Sequence, residues 1–503
     1  MRIGNALKAI QLSPFMRDVV LTTITSVFTT ISAIVVTRLL AEGLGPEKFG
    51  AYSLSRRMLA TIAPFSLLGM DLAITRYTAI AEERASRESY LLTGLLLAIS
   101  PGLVILLIGL LFRDSLSFLI FQNRAYTSLF IATLVLVVSY SFYVVLYAHY
   151  RGMARMNRAN MWQLAVIGVA PVIIAWELSQ SGNVSLIVLL LAISFFLASL
   201  PLGYYVRKIL LQGPIPQLKS SARELLSYGV PRIPAGLALA ALLTLGPFLA
   251  PHVGTLEDAG YLAVGQFVLL VMEGGVVAFG LVALPKVAQL AAEGQREFLR
   301  ESISDIIAFF LHLGVFATLH ILLWADEVVL ILLGSQYEKA IPLMRIILLA
   351  LVPYLAYVLL RSVVDAVEKK AINTLNVVLS FAVALISAMT LVALGLGVKG
   401  LALATTIGFV TLGFLTLRYI WTTFQIRSNS IELKRPLLFN VSLIMIALLF
   451  KYLLINRFFG PTWIGIVIIE LALFTSFILL LWKIRVRWLL ELEKRLIKRR
   501  ANV

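Results

Sequence analysis

Two adjacent arginines, Arg56 and Arg57, stand inside a long apolar run, with Asp71 and Arg76 further along it. A guanidinium offers a rigid fork of N–H donors that matches phosphate oxygens, so arginines at such positions are suited to hold an anionic headgroup. In a helix that starts at Gly50 and rises 1.5 Å per residue, Arg56 and Arg57 lie about 9 Å below the outer end. Asp71 comes close to four whole turns after Arg57, so both can share a face. Arg56 and Arg57 differ by about 100° around the axis and cannot both face one spot. Arg232 follows Pro231 near the inner end of a later apolar run. Glu273 lies well inside the next one, beside Gly274 and Gly275. A carboxylate at that depth can be protonated, can pair with an arginine, or can bind a coupling cation. Arg56, Arg57, Arg76 and Arg232 are therefore candidates for binding an anionic substrate. Glu273 and Asp71 are candidates for coupling to a proton or sodium ion.

Plainer readings stand beside these. Arg38 and Arg76 are near enough to the interfaces to snorkel. Arg232 can anchor to lipid phosphate as well as line a cavity mouth, and Glu273 can form an internal salt bridge to an arginine of the first half. Asn373 and Asn376 can hydrogen-bond between helices rather than serve a cation. His149, His252, His312 and His320 are scattered and read as polar groups in a helix bundle, not as a metal site. The chain has no cysteine, which excludes disulfides, thiol catalysis and cysteine-ligated metals. No P-loop of the G-x-x-x-x-G-K-[ST] form is present, so ATP hydrolysis by this chain is not expected. No cofactor is expected either.

The elements that must carry these residues are membrane helices. Hydrophobic residues make up 60% of the chain and charged ones only 14%, with a mean hydropathy of +0.94. A soluble domain is about half apolar and a quarter charged, so lipid is the solvent here. About fourteen runs are long enough to span the hydrocarbon: 19–40, 50–80, 89–112, 125–149, 159–177, 185–206, 227–250, 259–289, 303–324, 341–364, 373–394, 400–424, 437–455 and 462–482. Their apolar residues continue without period-two alternation, which indicates helices rather than barrel strands. The first run is too long for a signal peptide and lacks a small-residue cleavage site.

The net charge of +17 would suggest nucleic acid on a soluble protein. Here the cations cluster at the ends of apolar runs and report topology, so no nucleic-acid partner is expected. Arg151, Arg155 and Arg158, then Arg207, Lys208, Lys219 and Arg223, then Arg427, Lys434 and Arg435 form one set of loops. The tail adds Lys483, Arg485, Arg487, Lys494, Arg495, Lys498, Arg499 and Arg500. The alternate loops are poorer in cations. The positive-inside rule puts the basic set and both termini in the cytoplasm. No loop is long enough for a soluble domain. The basic tail can be an amphipathic helix on an anionic leaflet or a solvated anchor.

A repeat at an offset of about 209 residues organises the chain. Gly45-Pro46-Glu47-Lys48-Phe49-Gly50-Ala51-Tyr52 matches Gly254-Thr255-Leu256-Glu257-Asp258-Ala259-Gly260-Tyr261, each a short acidic turn that opens a long helix. The offset carries an even number of spans, so the halves are parallel repeats. Transporters commonly bind substrate between such halves and rock one against the other. The expected division is a six-helix lobe over 1–206, a cytoplasmic linker over 207–226, a second six-helix lobe over 227–424, and two extra helices with a basic tail over 425–503. The repeat partners of Arg56 and Arg57 are Gly265 and Gln266, and that of Glu273 is Pro64, so the lobes are electrostatically unlike. Span seven carries Pro231, Pro234, Pro247 and Pro251, which remove backbone donors and bend helices, as suits a gate.

Three stretches carry a family resemblance. The first is Arg38-Leu39-Leu40 through the Gly45–Leu54 run, then Gly69, Arg76-Tyr77 and Ala79. The second is Leu333-Gly334-Ser335-Gln336-Tyr337-Glu338-Lys339-Ala340. The third is Gly395-Leu396-Gly397-Val398-Lys399-Gly400-Leu401-Ala402-Leu403-Ala404-Thr405. In order and spacing they resemble the Wzx-like oligosaccharide flippases of the multidrug/oligosaccharidyl-lipid/polysaccharide exporter (MOP) superfamily. The resemblance implies an all-α polytopic fold of two six-helix lobes around a central cavity, plus two further helices. It also implies a polyprenyl-phosphate- or diphosphate-linked glycan as substrate. The competing reading is a multidrug-and-toxin exporter, which prefers an anionic pocket. A membrane enzyme is disfavoured, because such chemistry usually needs a carboxylate or histidine cluster on a sizeable loop.

Overall fold

The computed structural model describes residues 14–211, 218–292, 296–367 and 372–426, with isolated positions between 442 and 475. Helix α1 (Pro14–Leu67) holds the first two expected spans. It is followed by α2 (Met70–Ile80), α3 (Arg84–Leu111), the short α4 (Arg113–Phe121) and α5 (Thr127–Gly152). Then come α6 (Met156–Gln163), α7 (Ala170–Leu178), α8 (Val184–Ala198) and α9 (Leu200–Leu211). Beyond the linker lie α10 (Leu218–Gly229), α11 (Ile233–Val253), α12 (Leu256–Ala292) and α13 (Arg296–Leu323). The second half ends with α14 (Ala325–Leu333), α15 (Ala340–Leu348), α16 (Leu351–Val367), α17 (Ile372–Ala393) and α18 (Gly397–Phe424).

Each of the first twelve expected spans coincides with helix. Among the described residues nine helices are long and apolar enough to cross a membrane, or ten with the pair Ala340–Leu348 and Leu351–Arg361, bent by 49°. The chain is a multi-pass membrane protein, all helical among its described residues. Spans thirteen and fourteen lie outside those residues except for isolated helical positions. One of these, Lys451, pairs with Glu327 at 2.7 Å and so tethers its segment to the end of the second half that holds α14.

Three features differ from the expectation. Gly45 (φ 75°, ψ 169°) interrupts α1 in a conformation open only to glycine, so spans one and two meet with no loop between them. Leu68 and Gly69, both at positive φ, divide span two into the end of α1 and α2. At one end of the bundle α10 packs on α2 and α3 of the first half before the chain enters span seven.

Much of the contact between halves runs along α1, which packs against both α11 and α12. At the opposite end of the bundle the two segments of the repeat meet reciprocally. A Cβ at Gly50 would strike the Leu256 carbonyl, and one at Gly260 would strike the Pro46 carbonyl. Only glycine lets these backbones approach so closely. The second sequence motif lies beside this crossing. The Gln336 amide donates to the Ala41 carbonyl at 3.0 Å and the buried Tyr337 hydroxyl donates to the same oxygen at 3.1 Å. Tyr337 also meets the edges of Phe49 and Tyr261. Burial, with Tyr261 beside it, pushes its phenol pKa up and keeps it a donor.

Candidate functional site

The adjacent arginines separate as their spacing requires. Arg57 Nη1 donates to the Leu243 carbonyl of α11 at 2.5 Å. Leu243 lies four residues before Pro247, whose ring nitrogen has no hydrogen to return to that oxygen. One turn beyond Arg57, the Thr61 hydroxyl meets that of Thr244, the residue next to Leu243, at 3.2 Å. Arg57 is thus committed to the contact between halves. Arg56 stays in the first half with Tyr52 and Tyr140 in its electrostatic reach. It is partly buried and makes no hydrogen bond or ion pair with any described residue.

Asp71 does not join Arg57. The break at Leu68–Gly69 resets the helical phase between them, so their spacing does not put them on one continuous face. Asp71 sits in the first turn of α2, against the backbone N–H groups of Asp71 and Leu72, with Arg151 its electrostatic neighbour. An acid at a helix N-terminus complements the helix dipole.

Arg76 and Arg232, one from each half, come together. The Arg76 guanidinium lies 4.5 Å from the centre of the Tyr228 ring and that of Arg232 lies 3.6 Å from it. Arg232 Nη1 also donates to the Tyr228 carbonyl at 2.5 Å. Tyr77 meets Tyr228 edge-on and tilts against Tyr90, which makes an aromatic floor at this junction of the halves.

Glu273 pairs within the second half. Its Oε2 accepts from the Tyr354 hydroxyl at 2.5 Å, and its Oε1 lies 3.8 Å from Arg361 Nη2. The expected salt-bridge alternative, an arginine of the first half, is corrected: the cation is Arg361 of α16. Asn373 donates to the Arg361 carbonyl at 2.9 Å and so supports the helix that carries this arginine. Among the described residues no group of three or more histidine, aspartate or glutamate side chains could hold a metal.

The model of a polysaccharide biosynthesis protein family matches residues 15–291. The chain belongs to that family. All six expected site residues lie within the matched segment, whereas Tyr354 and Arg361 lie beyond it. No curated protein sequence matches the chain. Among solved structures it is similar to a lipid II flippase, MurJ, in an inward closed conformation, at 14% identity and a TM-score of 0.70, covering 94% of this chain and 100% of that one. It is also similar to an inward-facing multidrug-resistance MATE family transporter of the MOP superfamily, at 18% identity and a TM-score of 0.67, covering 79% of this chain and 94% of that one. A MOP superfamily transporter from Pyrococcus furiosus, described as having a binding pocket of reversed polarity, aligns at 17% identity and a TM-score of 0.56 over 81% of this chain and 95% of that one. At these identities the likeness is one of fold. The MOP-superfamily fold expected from the sequence is borne out.

In this family member, sequence reasoning missed Arg361, Tyr354, Tyr228 and the Leu243 carbonyl. Arg361 was visible as a cation near the inner limit of span ten, and Pro247 was the signal for an unpaired carbonyl one turn earlier. Tyr228 carried no signal beyond its place next to span seven.

Proposed function

We propose that this protein is a flippase that moves a polyprenyl-(di)phosphate-linked oligosaccharide across the cytoplasmic membrane for cell-surface glycan assembly. Transport proceeds by alternating access between the lobes 1–206 and 227–424, with the linker 207–226 and both termini in the cytoplasm. The observation that carries this reading is Arg56: a guanidinium at membrane depth with neither an ion pair nor a hydrogen bond to the described residues. Leaving such a charge uncompensated is costly, and an anionic headgroup supplies the missing partner. Arg57, Arg76 and Arg232 complete the cationic path. The family match to a polysaccharide biosynthesis protein supports the glycan half of the proposal.

Energy comes from an ion gradient or the membrane potential, the latter worth about 2.3 kcal/mol per charge per 100 mV. Glu273 is the proposed coupling carboxylate, since a proton or sodium ion can replace Arg361 as its counter-charge. Asp71 is the second candidate. A multidrug exporter of the MATE type shares the fold but needs spare negative charge for cationic drugs. Glu273 is already held by Tyr354 and Arg361.

Reconstitution tests the proposal. Proteoliposomes should translocate a labelled polyprenyl-diphosphate oligosaccharide, and Arg56→Ala should strongly reduce this without loss of fold. Export of cationic dyes with no glycan-lipid movement would overturn it in favour of the drug exporter.

A further inference from the structure

The inner junction holds two cations on one ring, and nothing described there neutralises them. Arg76 has no ion pair or hydrogen bond among the described residues, and Arg232 bonds only the Tyr228 carbonyl. Both side chains are exposed. The carboxylate one turn before Tyr228, Glu224, accepts instead from the Tyr90 hydroxyl at 2.5 Å. The face of a tyrosine attracts a cation only weakly at an exposed site, and two guanidiniums beside one ring repel each other. A guanidinium has five N–H donors, so both groups keep most of theirs available. The arrangement suits an anion with several oxygens that can take donors from both sides.

We propose that Arg76, Tyr228 and Arg232 form a separate capture site for the phosphate headgroup of a lipid, filled before the substrate reaches Arg56. The site lies nineteen residues along span two from Arg57, on the far side of the Leu68–Gly69 break, and so is set apart from the Arg56 region. It lies where exposed arginines of a membrane helix meet lipid headgroups. Arg76 belongs to the first half and Arg232 to the second, while α10, which carries Tyr228, packs on α2 and α3. A headgroup held by both arginines therefore spans the junction that must part for passage. This capture step rests on the substrate class and orientation proposed above. The headgroup can come from a polyprenyl diphosphate or from bulk anionic phospholipid.

Binding to the purified full-length protein separates these sources. The probes are a fluorescent polyprenyl diphosphate without sugar, inorganic pyrophosphate as competitor, and nanodiscs of phosphatidylglycerol or phosphatidylcholine. Arg76→Gln and Arg232→Gln should each weaken polyprenyl diphosphate binding about tenfold, since each removes a charge-assisted contact. Tyr228→Leu should weaken it and Tyr228→Phe should not, because the ring is the platform. Arg76→Lys and Arg232→Lys guard against loss of fold and should retain part of the affinity. Arg223→Gln, an exposed cation on the same helix, should change nothing. Pyrophosphate competition with no phosphatidylglycerol effect identifies the substrate as occupant. An arginine-dependent response to phosphatidylglycerol alone identifies bulk lipid and upholds the headgroup site even if the flippase reading fails. Wild-type binding of both lipids in the double Gln variant, or an equal loss in Arg223→Gln, would overturn the site.

Discussion

The guanidinium of Arg57 fills the place of the hydrogen that Pro247 lacks. In an unbroken helix the residue-247 amide would donate to the Leu243 carbonyl, and here Arg57 of the first half does so at 2.5 Å. An unsatisfied buried carbonyl costs about 1–3 kcal/mol, and for this partly buried one a cost toward the low end still ties the two halves at that depth.

A double-mutant cycle checks this tie. Arg57→Ala should lower thermal stability of the purified protein. Pro247→Ala returns an N–H to the Leu243 carbonyl, and in that background Arg57→Ala should be milder by about 1 kcal/mol. Equal losses in both backgrounds would show that the carbonyl is not what Arg57 serves.

The two arginines should differ in kind. Arg56→Ala should reduce glycan-lipid translocation at least about tenfold with unchanged melting, because Arg56 holds nothing in the described protein. Arg57→Ala should lose both transport and stability. Lysine at position 56 should restore only part of the activity, since a point charge lacks the two-pronged fork. Transport at the wild-type level in the double alanine variant would remove the cationic path.

Glu273→Gln mimics a permanently protonated carboxyl at nearly constant size. The variant should bind glycan-lipid yet lose the dependence of transport on pH or sodium. Arg361→Ala should be more damaging to stability than Glu273→Gln, because it leaves a carboxylate without its cation. A normal response of Glu273→Gln to both gradients in proteoliposomes would leave the Tyr354–Glu273–Arg361 group a purely structural tie.

Topology can be read by labelling, since the chain has no native cysteine. A cysteine at the exposed Ser220, in the first turn of α10, should react only with reagents that reach the cytoplasm. Modification by an impermeant reagent from outside would invert the assignment.

Hydropathy made the helices legible, because a lipid solvent demands long apolar runs and the first twelve are where the runs are. The repeat was legible too, and its two copies of the acidic turn meet at Gly50 and Gly260. The break at Leu68–Gly69 was not. Pro64 one turn before it and Gly69 itself are its signals, but membrane helices carry such residues without breaking, so the pattern alone does not reveal the change of phase that parts Asp71 from Arg57. Pairings across helices were legible only as residue types. Glu273 was visible as an acid needing a partner, but whether Arg361 or an arginine of the other half answers it depends on how α12 and α16 are rotated. The role of Leu243 lay in its backbone, which leaves no trace in residue type.

The one-residue break at Gly45 has a mechanical corollary. Spans one and two share no slack at their outer ends, so one cannot slide past the other there, and any relative motion must grow with distance from the pivot. Residues 46–67 form a limb about 33 Å long, so a rotation of about 10° at Gly45 swings its far end by about 6 Å. Thr30 of span one lies against Gly274 of α12, while Leu68 and Gly69 toward the far end of span two lie against Gly229, the last residue of α10. Spans one and two are thus a pair of limbs joined at one rim, and on the orientation proposed above a rotation about Gly45 would part them most on the cytoplasmic side, where the proposed substrate would enter.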